Sequence, residues 1–335
     1  MFSIETIREI CAPYAIAFDG VREIKDTSRG EADRRYACFL DERYVLKLTN
    51  APDMHEARLE EIAGLIERYR ATGLYAPRLI KSRSGKYSRE YVMDNIRFLC
   101  YVEEYAQYPV CTDEIYAPLD FKKTVVAHLG AFAAKYTGAE LTQQRSMWSI
   151  IDLAPLDADV DEKQENLNLL VETLSSYGRA DLARALAAFN GAARERIKAR
   201  YLELPRCVFQ GDLNSSNLLT DENGRFVGLI DFNLCGTEVN INCFLNETMY
   251  FMERSDFEGK TAREVFQNAL RYQDALLDVI LQHYALNDLE RALTEDYRRV
   301  ILCSFYPNIM LWRELLREGA HAEAVCGLIE EILRY

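Results

Sequence analysis

Cys207-Val-Phe-Gln-Gly-Asp212-Leu-Asn-Ser-Ser-Asn217-Leu-Leu-Thr220, followed by Asp221-Glu-Asn-Gly224 and then Arg225-Phe-Val-Gly-Leu-Ile-Asp231-Phe232, decides how this chain is read. Asn223-Gly224 sits between two apolar runs, a strong signal for a β-hairpin. The runs 217–220 and 226–230 are therefore expected to pair as short strands. Asp212, Asn217 and Asp231 flank that hairpin, three short oxygen-bearing side chains at loop or strand ends rather than on a helix face. Polar groups on loops held by a rigid scaffold suit catalysis. Each of the three taken alone also reads as an Asx-turn or cap residue.

Taken together, an Asp followed five residues later by an Asn, and then an Asp closing the apolar run Gly228-Leu-Ile-Asp231, match the needs of phosphoryl transfer from a magnesium nucleotide. One carboxylate orients the attacking hydroxyl and accepts its proton. An amide oxygen and a second carboxylate hold Mg²⁺ against the phosphates.

Outward from the hairpin, the chain changes texture once. Residues 3–11 read as a short amphipathic helix. Ala15 to Phe18, Tyr36 to Leu40, Arg43 to Leu48, Arg78 to Ser82, Tyr87 to Met93 and Phe98 to Glu103 read as strands punctuated by turn signals such as Ser84-Gly85. Asp53 to Thr72 carries Leu59, Ile62, Ile66 and Tyr69 at helical spacing and stops at Gly73, which places one helix within a mostly antiparallel sheet. From about Gln107 amphipathic helices dominate, at 121–137, 161–177, 180–202, 262–284, 289–305 and 321–333. The expected division is a sheet-rich unit over 1–105 and a helical unit over 106–335 that carries the hairpin.

Phe209-Gln-Gly-Asp-Leu-Asn-Ser-Ser-Asn-Leu-Leu followed by Gly228-Leu-Ile-Asp-Phe resembles the catalytic loop and metal loop of the aminoglycoside phosphotransferase and choline kinase family, relatives of the protein kinases. The resemblance implies an α+β, protein-kinase-like two-lobe fold, with a small antiparallel-sheet N-lobe holding one helix and a larger helical C-lobe. It implies Asp212 as catalytic base and Asn217 and Asp231 as magnesium ligands. In Tyr44-Val-Leu-Lys-Leu, an apolar strand contains Lys47, and a buried ammonium needs an anionic partner; an edge-strand lysine is the bland reading. In the family such a lysine bridges the nucleotide phosphates and a glutamate on the following helix. Glu56, Glu60 and Glu61 are the candidates, and Glu61 is chosen because it borders the Ile62–Ile66 face most closely. Residues 26–33 occupy the place of a phosphate-covering loop, with Ser28 to Gly30 as candidate phosphate amides or as an ordinary solvated turn. Phe98-Leu-Cys-Tyr-Val-Glu-Glu-Tyr-Ala reads as the connection between lobes, where a purine meets the main chain of residues 103–105, Glu104 and Tyr105 included.

Two positions depart from the family pattern. Gln210 replaces the histidine two places before the catalytic Asp, and the stretch from Glu238 to Cys243 lacks the usual downstream Asp. The expected activity is transfer of the γ-phosphoryl group of ATP or GTP to a hydroxyl of an amino alcohol, aminoglycoside or similar acceptor. The alternative is a nucleotide-binding protein that has lost efficient transfer, which Gln210 and a loop with a single glycine would allow. Glu238, Glu247, Tyr250, Glu253, Trp148 and Trp312 are candidates for an acceptor pocket, against the bland reading of surface charges and core aromatics.

The whole-chain arithmetic agrees. The 335 residues are 49% apolar, enough for a sizeable core, and 40 Lys+Arg against 53 Asp+Glu give a net charge of −13. That balance speaks against a nucleic-acid surface and for a neutral or cationic partner, or for solubility alone. Nine scattered cysteines without a C-x-x-C pair read as reduced core thiols. Met1 to Ala12 lacks a basic segment followed by an apolar block, and Ala275 to Leu286 is broken by Asp278, Gln282 and His283. The expectation is a cytoplasmic protein without signal peptide or membrane span.

Overall fold

The computed structural model describes every residue except Met1, Ala32, Leu156 and Ala320. In chain order the elements are α1 (Ile4–Cys11), β1 (Val21–Asp26), β2 (Arg35–Leu40), β3 (Tyr44–Thr49), α2 (Glu56–Arg70), β4 (Leu79–Ile80), β5 (Ser88–Met93), β6 (Ile96–Glu104), α3 (Asp113–Tyr116), α4 (Leu119–Tyr136), α5 (Glu162–Ser176), α6 (Ala180–Arg200), β7 (Arg206–Phe209), β8 (Leu218–Thr220), β9 (Phe226–Leu229), β10 (Gly236–Val239), α7 (Asn240–Glu247), α8 (Ala262–Leu281), α9 (Asp288–Leu302), α10 (Tyr306–Glu318) and α11 (Ala322–Arg334). They fall into two compact units, Met1–Tyr116 with Asp212–Asn233, and Ala117–Gly211 with Leu234–Tyr335.

The first unit is built on an antiparallel sheet ordered β1-β2-β3-β6-β4, with β5 also paired to β6. Side chains alternate between sheet faces. Cys38, Leu40, Leu46, Leu48, Cys100 and Val102 turn one way and bury against Ile7, Ile10 and Cys11 of α1. The pairing of Val45 with Glu103 and of Lys47 with Tyr101 then turns Val45, Lys47, Tyr101 and Glu103 the other way. β1 replaces the strand expected at Ala15 to Phe18. Pro13 lies in a 3₁₀ turn over Ala12–Tyr14 and Ala15 is left-handed at φ 55°, so the chain enters the sheet only at Val21. β1 is an edge strand studded with Arg22, Glu23, Lys25 and Asp26, which masked its alternation.

The hairpin segment Asp212–Asn233 groups with this sheet unit, whereas the expected single boundary near Tyr105 kept it with the helices. Val110 bridges Leu219, and Tyr75 runs beside β9, its N–H donating to Val227 O at 2.8 Å while its carbonyl accepts from Leu229 N at 2.9 Å. Those main-chain bonds tie 212–233 to residues that precede it by a hundred or more positions.

The second unit is helical, with β7 and β10 as a two-stranded antiparallel ribbon in register Cys207↔Glu238. The six expected helices appear within a few residues of their bounds, and α7 and α10 are additional. α10 carries Pro307 in its first turn, where a proline costs no intrahelical bond. α7 is rich in Asn, a weak helix former, and forms as an almost wholly buried segment. All nine cysteines are buried thiols. Among the described residues no helix is long and apolar enough to cross a membrane.

Candidate active site

The hairpin forms as β8 and β9 with Gly224 left-handed at φ 72°, the turn that Asn223-Gly224 dictates. Gly228 is required by close approach: a Cβ there would lie 2.2 Å from the Tyr75 carbonyl oxygen. At the entry to β8, Asn214 caps the 3₁₀ turn Ser215–Asn217 by accepting from Ser216 N at 2.9 Å. Its Nδ2 donates to Asp212 Oδ1 at 2.6 Å. From the other side Asn217 Nδ2 donates to Asp212 Oδ2 at 2.8 Å and to the Asp212 carbonyl at 3.0 Å. Both carboxylate oxygens are thus fixed by amides that carry no charge. Burial pushes the Asp212 carboxyl above its ordinary value and the Asp231 charge adds to the rise, while the bonds from Asn214 and Asn217 and the Arg29 guanidinium draw it back.

Ile230 N donates to the Asn217 carbonyl at 2.9 Å, which sets the next residue, Asp231, beside the loop. Asp231 is exposed and left-handed at φ 55°, a conformation that Asp tolerates better than most side chains and that strained functional loops use. Asn217 spends its two amide hydrogens on Asp212, which leaves Oδ1 as the acceptor atom of its side chain. A small cleft next to Asp231 is lined by Lys47, Ile62, Ile66, Tyr101, Glu103 and Asn233 among others. Lys47 Nζ meets Glu103 Oε1 at 3.1 Å. Burial works against the ammonium, but Glu103 first, then Asp231 and Tyr101, outweigh it and hold Lys47 charged well above its ordinary range. Burial pushes Glu103 up, and Lys47 pulls it part of the way back.

Residues 23–238 match the family described as the phosphotransferase enzyme family. The chain belongs to that family. Nothing among curated protein sequences matches it. Among solved structures, the amicoumacin kinase hAmiN in complex with AMP-PNP, Ca²⁺ and Ami is similar at 14% identity and TM-score 0.51, over 99% of this chain and 94% of that one. The GDP and kanamycin complex of APH(2")-IIia is similar at 12% identity and TM-score 0.50, over 98% of each chain. At such identities the likeness is one of fold: an antiparallel sheet unit and a helical unit, as in the kinase-like relatives.

Within this phosphotransferase the sequence-predicted residues separate into those brought together and those that are not. Asp212, Asn217 and Asp231 converge, and Lys47 shares a cleft with Asp231. Glu61 is not the partner of Lys47. Its Oε2 lies 3.3 Å from Nη1 of the buried Arg58, and Glu103 holds the lysine instead. Period and spacing place a residue on a helix face but do not say whether another cation on the same face takes it first. Ser28 and Gly30 lie in the β1–β2 loop, where the Ser28 N–H is spent on Asp26 Oδ1 at 2.9 Å and its hydroxyl accepts from Arg35 N at 3.0 Å. Glu104 and Tyr105 spend their N–H groups on the carbonyls of Arg78 and Arg43, at 2.9 and 2.8 Å, so their main-chain donors are already used. Of the acceptor candidates, Glu238 and Trp312 are 2% and 1% exposed and belong to the core. Trp148 donates its indole N–H to the Gly211 carbonyl at 2.7 Å. Tyr250 donates to Asp256, and Glu253 closes a capping box at Arg254–Phe257.

Sequence reading missed two residues of the site. Asn214 was available as the second amide in Asp-Leu-Asn, two residues from the carboxylate it holds. Glu103 was named only for its main chain, in the connection at 103–105, and the contact of its side chain follows from the β3–β6 register, which no local pattern carries.

Proposed function

We propose that this phosphotransferase moves the γ-phosphoryl group of ATP or GTP onto a hydroxyl of a small molecule, with Asp212 as the general base. The observation that carries the reading is the Asp212 carboxylate pinned through both oxygens by Asn214 and Asn217, beside a second carboxylate at Asp231. Neutral donors orient Asp212 without stabilising its charge as strongly as an arginine would, and burial lifts its proton affinity, the combination that suits a base. Asp212 takes the proton of the acceptor hydroxyl as that oxygen bonds to the γ-phosphorus and the bond from the γ-phosphorus to the β,γ-bridging oxygen breaks, with ADP or GDP as the leaving group. Lys47, held by Glu103, binds the phosphate oxygens, and Arg29 lies in range to add positive charge.

Asn217 and Asp231 suit Mg²⁺, a hard cation that keeps waters and takes only one or two protein oxygens besides substrate phosphates. The repulsion between Asp212 and Asp231 supports a cation there. When bound, the ion neutralises charge on the transferring group. The first main-chain N–H past the two spent ones, that of Ala106, is the donor proposed for the purine. The excess of 53 acidic over 40 basic residues favours an amine-bearing acceptor.

The test is thermal unfolding with ATP and GTP, with and without Mg²⁺, then with amino alcohols, aminoglycosides and sugars. A ligand that binds the folded state alone raises the midpoint. A magnesium-dependent rise with a nucleotide, increased by one acceptor class that is then phosphorylated, is expected. No rise with either nucleotide overturns the proposal; a nucleotide rise without transfer to any acceptor leaves the nucleotide-binding alternative standing.

A further inference from the structure

We propose that Glu103 on β6 is the positioning residue for Lys47, so that the sheet rather than helix α2 aims this lysine. The inference rests on the reading of Lys47 as the phosphate-binding cation. The carboxylates of α2 are committed elsewhere. Glu56 accepts from Tyr87 N at 2.8 Å and Ser88 N at 2.7 Å, Glu61 faces Arg58, and Glu67 pairs with Arg78 at 2.7 Å. Glu60 is exposed. Toward the Lys47 cleft α2 presents Ile62 and Ile66, which are 3% and 2% exposed. An ammonium in an apolar cleft with no counter-charge is strongly destabilising, so a carboxylate has to come from another element.

β6 supplies it by geometry. β3 and β6 pair antiparallel over six residues each, and Glu103 lies opposite Val45, two residues along the same face from Lys47. Lys47 and Glu103 side chains are 18% and 16% exposed and meet at 3.1 Å. Ladder register keeps the backbones of Lys47 and Glu103 at a fixed spacing while β3 and β6 stay paired, whereas a contact from a helix moves when the helix does. Tyr101, directly opposite Lys47, donates its hydroxyl to Asn233 Oδ1 at 3.1 Å, so the same strand also holds the residue two places after Asp231. β6 thereby holds the lysine and the end of the metal loop at once, and the counter-charge of Lys47 does not come from α2.

Glu103→Gln, nearly isosteric, is expected to lower kcat/KM for the nucleotide by tenfold or more and to lower the unfolding midpoint as well, since it leaves the Lys47 ammonium without its partner. Glu103→Asp, which retains the charge at shorter reach, is expected to fall between the two. Returning a carboxylate from the helix separates positioning from mere packing: in the Glu103→Gln background, Ile62→Glu or Ile66→Glu should recover part of the lost kcat/KM while lowering activity when made alone. Acylation of Lys47 by acetic anhydride at one fixed pH, followed by mass spectrometry, reads the contact without turnover and should quicken in Glu103→Gln. Unchanged kcat/KM together with unchanged Lys47 acylation overturns the proposal. A wild type that transfers no phosphate defeats the functional reading instead, and the acylation contrast alone then decides whether Glu103 holds the lysine.

Discussion

Asp212 and Glu238 make an instructive pair. Both are carboxylates in or just past the hairpin stretch, both are pushed upward chiefly by burial, and both accept a bond from an asparagine side chain. Glu238 is 2% exposed and saturated: it accepts from the Ser146 hydroxyl, from Val239 N at 2.7 Å and from Asn242, with Lys163 as a nearby positive charge. Asp212 is only partly buried, is held by neutral amides, and faces the like charge of Asp231. A shifted carboxylate marks a site when something is left for a ligand to neutralise; a shifted carboxylate whose neighbours already satisfy it marks a core.

The largest expected consequence of that difference lies at Asp212. Asp212→Asn keeps the shape and removes the base, and should lower turnover by about 10²–10⁴. Nucleotide-dependent thermal stabilisation should persist. Turnover equal to wild type would place the chemistry on another residue and erase the contrast.

The scaffold beneath the site comes next. Gly228→Ala puts a methyl 2.2 Å from the Tyr75 carbonyl oxygen, against backbone that cannot rotate aside. Overpacking of this kind costs about 1–3 kcal/mol, so the denaturant midpoint should fall clearly and turnover should fall with it as the hairpin shifts. Ala substituted for Gly64, which has nothing within 4 Å of the added carbon, serves as the control and should cost nothing of that size.

These residues also show where legibility ends. The hairpin could be read from sequence because its turn chemistry, its apolar runs and its polar ends lie within a few residues of one another. Asp212, Asn217 and Asp231 converge through that local frame. Lys47 was found because an ammonium inside Tyr44-Val-Leu-Lys-Leu contradicts its surroundings. Its partner was misassigned because Glu103 comes from a strand more than fifty residues away in sequence, whose register no periodicity reports. For Ser28, Glu104 and Tyr105 the sequence does not show which main-chain groups are already bonded, by a local turn at Ser28 and by distant carbonyls at Glu104 and Tyr105. The edge strand β1 and the Asn-rich α7 escaped for a related reason: one is charged on its open side, the other is helical through burial rather than propensity.

Acid sharpens the comparison further. A base must be ionised to act, and the Asp212 carboxyl lies above the ordinary aspartate value of about 3.9. With Asp212 as the proposed base, kcat should fall on acidification at a higher pH than an unperturbed aspartate allows. Measuring kcat against pH under saturating substrates checks this, and a flat profile down to about pH 4 contradicts it.

The smallest effect belongs to Glu238. Its carboxyl is raised in the folded state, so between the unfolded and folded values the native protein holds more protons than the unfolded chain. The sign follows: Glu238 adds stability on the acid side, and that contribution is lost as pH rises through its folded value. Glu238→Gln removes the proton linkage while keeping an acceptor oxygen for Ser146 or Val239. Its stability difference from wild type should be about 1 kcal/mol or less near neutrality and should shift in favour of wild type on acidification. Turnover should stay within about twofold, since Glu238 is sealed from ligand. A Glu238→Gln enzyme as impaired as Asp212→Asn would show that saturation by protein partners does not keep a buried carboxylate out of the chemistry.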